Sequence, residues 1–209
     1  MDEKNNAKIG HPRGFWGKVW HFLWYEDSIL SWIVNVLLVF IIIKFLLYPA
    51  VGLATGTKFP VVAVVSPSME HNGMPFDQWW TLQEQTYTTW GITKASFENY
   101  PLRDGFDTGD IIILVGKKPQ DVKIGDVIVY QSLKPYPIIH RVVDTDAIKR
   151  KFQTKGDNNL GQIVGFDLNE QNVSYDSLLG KAVFRIPYLG YVKIGVVAGL
   201  NKIGIPIQG

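Results

Sequence analysis

Residues 28 to 53 read Ser-Ile-Leu-Ser-Trp-Ile-Val-Asn-Val-Leu-Leu-Val-Phe-Ile-Ile-Ile-Lys-Phe-Leu-Leu-Tyr-Pro-Ala-Val-Gly-Leu, a run that needs either a bilayer or a large core to hide in. About 20 predominantly apolar residues are enough for a helix to cross the hydrocarbon. Asn35 and Lys44 interrupt the run, and the Lys44 stem can carry its ammonium toward the interface. Trp24, Tyr25 and Trp32 at one end, with Tyr48 at the other, have the chemistry of interfacial anchors. A cleaved leader fits poorly, because the run is long, starts late and has no small-x-small pattern before Pro49. A single transmembrane helix over 28–54 is expected, in preference to the buried helix of a soluble protein.

Four basic residues, Lys4, Lys8, Arg13 and Lys18, precede this segment, whereas only Lys58 follows it before Ser68. The positive-inside bias then puts residues 1–27 in the cytoplasm and residues 55–209 outside it, as a single-pass protein of the cell membrane. The apolar C-terminal stretch 186–207 is broken by Lys193, Asn201, Lys202 and repeated glycines. It reads as a last strand and turn, or as a helix lying on the interface.

Composition removes several function classes. The formal net charge is +2, from 21 basic and 19 acidic side chains, and no basic block is available to neutralise phosphates. A nucleic-acid partner is not expected. With no cysteine in the chain, disulfides, thiolate metal sites and cysteine nucleophiles are all excluded. The four histidines lie on both sides of the apolar run and make no His-x-x-x-His or His-Glu-x-x-His pattern, so neither a metal nor another cofactor is expected.

Beyond the apolar run the pattern changes to short β-branched segments separated by turn signals. Strands are expected at 59–65, 110–115, 126–131, 138–143, 151–154 and 181–185. Gly109-Asp110 and Gly125-Asp126 supply turn chemistry ahead of two of them. Long alternating helices are lacking, so residues 55–209 read as a mostly β domain, barrel-like or sandwiched. Residues 70–108 are the exception. Phe76, Trp79, Trp80, Tyr87 and Trp90 recur near helical spacing, and a short helix can start from a cap at Thr93 and stop before Pro101. This helical insertion either packs on the β core or serves as a lid or membrane-surface element.

Three segments carry the chemistry. Ser66-Pro67-Ser68-Met69 ends an apolar strand; Ile139-His140-Arg141-Val142-Val143 lies in another; Thr154-Lys155-Gly156-Asp157-Asn158-Asn159 forms a turn. Serine is a weak nucleophile until a base takes its proton, histidine can be that base, and a carboxylate can fix the imidazole tautomer. Alternation places His140 and Arg141 on opposite strand faces, so one of them needs a polar partner among apolar neighbours.

Taken in order, these segments and the Gly109-Asp110-Ile-Ile-Ile-Leu114 strand resemble signal peptidase I in its archaeal and endoplasmic-reticulum form, over most of the chain. The resemblance implies a membrane-bound serine endopeptidase that removes signal peptides from exported proteins after small residues. It implies Ser68 as nucleophile and His140 as base, where bacterial relatives use a lysine, and Ser66 as a helper of the oxyanion hole. The family's second acid, six positions after the Gly-Asp-Asn-Asn aspartate, would fall on Ile163. The carboxylate is therefore open between Asp157, whose motif is intact and which is preferred, and Asp167. The long insertion has counterparts in some archaeal members. Implied partners are the signal peptides of secretory precursors, membrane lipid and the protein-export machinery. Two other readings stay open: a Ser-Lys peptidase with Lys155 or another lysine as base, and a membrane-anchored β domain that binds a partner without catalysis.

Overall fold

The computed structural model describes residues 14–189 of the 209-residue chain. Most of the C-terminal stretch 186–207 and the basic residues Lys4, Lys8 and Arg13 lie outside the described residues. The chain divides after Ala50 into two compact units.

In the first unit, helix α1 covers Gly14–Trp24 and helix α2 covers Ile29–Ile42. Ser28 is extended and its hydroxyl accepts the Ser31 N–H at 3.1 Å, the usual way to satisfy a helix's first unpaired donors. At Ile43–Leu47 the ladder widens into a π-helical turn, with the Tyr48 N–H donating to Ile43 O. Pro49 stands next in line without an N–H to donate, which favours such a local rearrangement. Helix α3, Tyr48–Thr55, continues the run, and Ile29–Thr55 as a whole is long and apolar enough to cross a membrane.

The second unit is mostly β, as the alternation of short strands and turns predicts. Strands β1 (Val61–Ala63), β2 (Ile111–Val115), β3 (Val127–Tyr130), β4 (Ile138–Asp146), β5 (Lys151–Lys155), β6 (Val173–Ser174) and β7 (Leu178–Ile186) form one antiparallel sheet among the described residues. Its order is β1-β2-β7-β3-β4-β5-β6, so β1 and β6 are edges. Register shifts between Ile113 and Leu114, Val129 and Tyr130, and Val142 and Asp144 bend and curl the sheet.

Both faces of the sheet are covered. Ile128 and Tyr130 point into one cluster with Val142, Phe152 and Leu168. Val127 and Val129 point into another with Met69, Phe106 and Leu114. The two-residue alternation along β3 thus feeds two cores, which explains why every residue of that strand is buried.

The insertion contains helix α4, Phe76–Thr88, and helix α5, Lys94–Phe97. Thr93 caps α5 reciprocally with Ser96, as the sequence predicts for that threonine. Trp79, Trp80 and Tyr87 are buried with Ile92 and Phe97 against Val143 of β4. The aromatic stripe is therefore a third core, and its large rings face the sheet instead of solvent.

Candidate active site

Ser68 sits on a single 3-10 turn, Pro67–Met69, that leaves β1. Pro67 presets the turn's φ, and the buried Met69 side chain pins it into the core beside Phe106. Met69 O also accepts the Phe106 N–H at 3.1 Å. The turn is thus held on both sides, leaving the intervening serine half-exposed.

His140 lies on β4 opposite Ile128 of β3, on the face that carries Ile138 and Val142. It is 3% exposed. Its Nε2 lies 2.9 Å from Ser68 Oγ, and its Nδ1 lies 2.5 Å from Glu170 Oε1. Glu170 is fully buried and its carboxylate is well held: Oε2 accepts the Ile163 N–H at 2.6 Å and Oε1 accepts the Thr154 hydroxyl at 3.2 Å. Thr154 is in turn 2.9 Å from the Tyr130 hydroxyl. Backbone bonds Thr154 N–H to Glu170 O and Glu170 N–H to Ile163 O, each 2.9 Å, fix the carboxylate's position beside β5.

Ser66 Oγ is 3.1 Å from Ser68 Oγ, so the two hydroxyls of the serine box face one another. Beside them opens a cleft of about 40 Å³ whose lining includes Ala63, Val65, Phe106, Tyr136 and Ile139.

Neither aspartate expected from the sequence stands on His140. Asp157 is occupied by Arg141, whose Nη2 donates to it at 2.6 Å and whose Nε donates at 2.9 Å. The Tyr87 hydroxyl donates to it at 2.7 Å, and His71 Nε2 is 3.4 Å away. Burial alone would raise the Asp157 carboxyl, but the Arg141 charge and the hydrogen bonds from His71 and Arg141 outweigh it and hold the group well below the usual carboxylate range. The remaining donors of Arg141 go to the carbonyls of Pro101, Leu102 and Gly125. Asp167 is half-exposed and pairs with Lys134 at 2.7 Å. Both residues of the strand pair His140–Arg141 have found polar partners, one on each face.

The Gly-Asp-Asn-Asn turn instead braces the serine. The Asn158 N–H donates to Ser68 O at 2.8 Å, and Asn158 Nδ2 donates to Pro67 O at 3.0 Å. Gly156 packs so close that a Cβ there would lie 2.8 Å from Ser68 O and 3.0 Å from His140 Nε2. Lys155 is buried against α4, its Nζ donating to Gln83 Oε1 and Gly156 O at 3.0 Å each and standing 4.5 Å from the Tyr87 ring centre. Its hydrogen-bond partners do not include Ser68. Burial pushes its ammonium down to about 8.

Glu170 is the residue that sequence reasoning missed. It lies thirteen positions after Asp157 and is the first acid beyond Asp167. The signal was present in the missing acid at Ile163: a lengthened loop moves the carboxylate downstream by an amount that sequence spacing alone does not set.

No protein-family model matches the chain. Its sequence is similar to the protein named signal peptidase complex catalytic subunit SEC11 in several fungi. With that of Scheffersomyces stipitis it is 28% identical, covering 72% of this chain and 73% of the relative. With that of Komagataella phaffii the identity is 28%, covering 72% and 74%; with that of Pyricularia oryzae it is 27%, covering 72% and 71%. These relatives share one name, that of the endoplasmic-reticulum type of signal peptidase I, and it is this family that the chain resembles over 72% of its length.

Proposed function

We propose that the chain is a membrane-bound serine endopeptidase that cuts signal peptides from exported precursors, with Ser68 as nucleophile, His140 as base and Glu170 as the carboxylate that orients it. The observation that carries this reading is the continuous contact from Ser68 Oγ through His140 to Glu170 Oε1. Ser68 Oγ attacks the scissile carbonyl carbon as its proton passes to Nε2. The carbonyl electrons move to oxygen, which the Ser66 hydroxyl, 3.1 Å from Ser68 Oγ, and the Ser68 N–H stabilise in this reading. On collapse, the departing amine takes the proton from Nε2, leaving an acyl-serine. Water repeats the sequence, and the acyl group leaves as a carboxylate. Throughout, the Nδ1–H donates to Glu170, which keeps the tautomer and stabilises the transient imidazolium.

The cleft of about 40 Å³ beside Ser68 suits small side chains. β1 is an edge strand, so an extended substrate can add to it through main-chain hydrogen bonds. Residues 1–27 are assigned to the cytoplasm, 28–54 to the membrane and 55–209 to the far side. The relatives are named as subunits of a complex, which supports further protein partners for this chain.

Cleavage of a secretory precursor by the purified chain in detergent tests the reading. Ser68→Ala and His140→Ala are each expected to abolish processing while leaving the melting transition in place. Processing retained by Ser68→Ala overturns the proposal.

A further inference from the structure

Helix α1 exposes a broad apolar face that no described residue covers. Phe15, Trp16, Trp20 and Trp24 are between 60 and 80% exposed. At helical spacing Trp16, Trp20 and Trp24 form one stripe about 80° wide, with Phe15 at its margin and Lys18 on the opposite side. Four large exposed rings on an eleven-residue helix are far more apolar surface than solvent tolerates without reason.

The end of α1 is fixed by side chains of α2. The Ser31 hydroxyl donates to Phe22 O at 2.6 Å, and Asn35 Nδ2 donates to Leu23 O at 2.9 Å. These are carbonyls of the last turn of α1, which have no partner within their own helix. Asn35 in turn would be costly in hydrocarbon without an acceptor. Each group satisfies the other. Ser31 and Asn35 lie on the first two turns of α2, within about 10 Å of its start at a rise of 1.5 Å per residue. If Ile29–Thr55 crosses a bilayer, the last turn of α1 is therefore held at the level where that helix enters it. Tryptophan is enriched at that level, and an amphipathic helix lying there buries its apolar side at the headgroup–acyl boundary.

We propose that α1 is a bilayer-surface helix, with its Phe15, Trp16, Trp20 and Trp24 side occupied by lipid and its depth set by the Ser31 and Asn35 bonds. The absence of cysteine makes the test direct. Full-length single-cysteine variants Trp16→Cys, Trp20→Cys and Lys18→Cys are labelled with a polarity-sensitive fluorophore. They are placed in vesicles of phosphatidylcholine with a minority of phosphatidylglycerol, and unchanged melting of the labelled chains confirms that each is folded. Labels at 16 and 20 are expected to emit further to the blue, to be quenched by lipid-borne spin labels, and to be several-fold less sensitive to aqueous iodide than the label at 18. Equal iodide access at all three positions overturns the proposal. So does shielding of 16 and 20 from both quenchers, which would show that protein, such as another subunit or a second copy, covers this side.

Discussion

His140 Nδ1 and Glu170 Oε1 stand 2.5 Å apart, with the carboxylate fully buried and also bonded to the Ile163 N–H and the Thr154 hydroxyl. That arrangement leaves the carboxylate little freedom, and the imidazole inherits its orientation. Glu170→Gln keeps the volume but replaces an ionised acceptor with an amide that can hold the wrong tautomer. In a comparable triad such a change costs roughly 10⁴ in kcat. A loss of that order is expected here, read in single-turnover cleavage, with substrate binding little altered. Full activity in Glu170→Gln, alongside a folded but inactive Asp157→Asn, would return the role to Asp157.

Gly156 has a role that its turn chemistry alone does not reveal. An added Cβ would lie 2.8 Å from Ser68 O, a backbone atom that cannot swing aside, and 3.0 Å from His140 Nε2. Gly156→Ala should therefore push the serine turn away from the histidine. A displacement near 1 Å can cost about 10² in rate. The expected result is a fall of that size in kcat, with KM changed much less. An unchanged kcat would mean that the turn and the serine move together.

The relation between motif and place explains what was legible in the sequence. Strands β2 to β5 and β7 follow from β-branched runs, and the short helix α5 from its Thr93 cap, because each signal is local. Ser68 and His140, the proposed nucleophile and base, can be singled out because each lies in a short ordered motif. Glu170 cannot, since its approach to His140 depends on the path of residues 158–169, and no local pattern encodes that path. The turn that carries Asp157 is intact in the sequence, yet Arg141 of β4 claims its carboxylate. Strand β6, two residues long, is below what alternation can register.

The Asp157–Arg141 pair should dominate the acid limb of stability. The carboxyl is held below its usual range by Arg141 despite burial, so the folded state binds its proton less readily than the unfolded chain. Stability from this group is then complete above about pH 4 and is lost as pH falls below that value. Asp157→Asn should flatten the acid limb of the melting temperature. At neutral pH it should also lower stability by roughly 3–5 kcal/mol, because Arg141 remains buried without its counter-charge. An acid limb unchanged from the parent would show that other carboxylates govern it.

Lys155 should act in the opposite pH range and with the opposite sign. Burial lowers its ammonium from 10.5 to about 8, so above that pH the folded state sheds a proton that the unfolded chain still holds. Stability should therefore rise with pH from about 8, since the unfolded state binds more protons there. Tyr87 and Tyr130 limit the window. Burial raises both hydroxyls, with Asp157 adding to the effect at Tyr87 and Glu170 at Tyr130, so their contribution falls away once the unfolded tyrosines ionise near pH ~10. Between these limits, Lys155→Met should remove the rise in melting temperature, whatever the cost of losing the bond to Gln83. If the parent shows no rise across that interval, or the variant keeps it, Lys155 is not neutral in the folded protein above pH 8. Its ammonium would then be held charged by the carbonyls of Gly156 and Asp157 and by the Tyr87 ring.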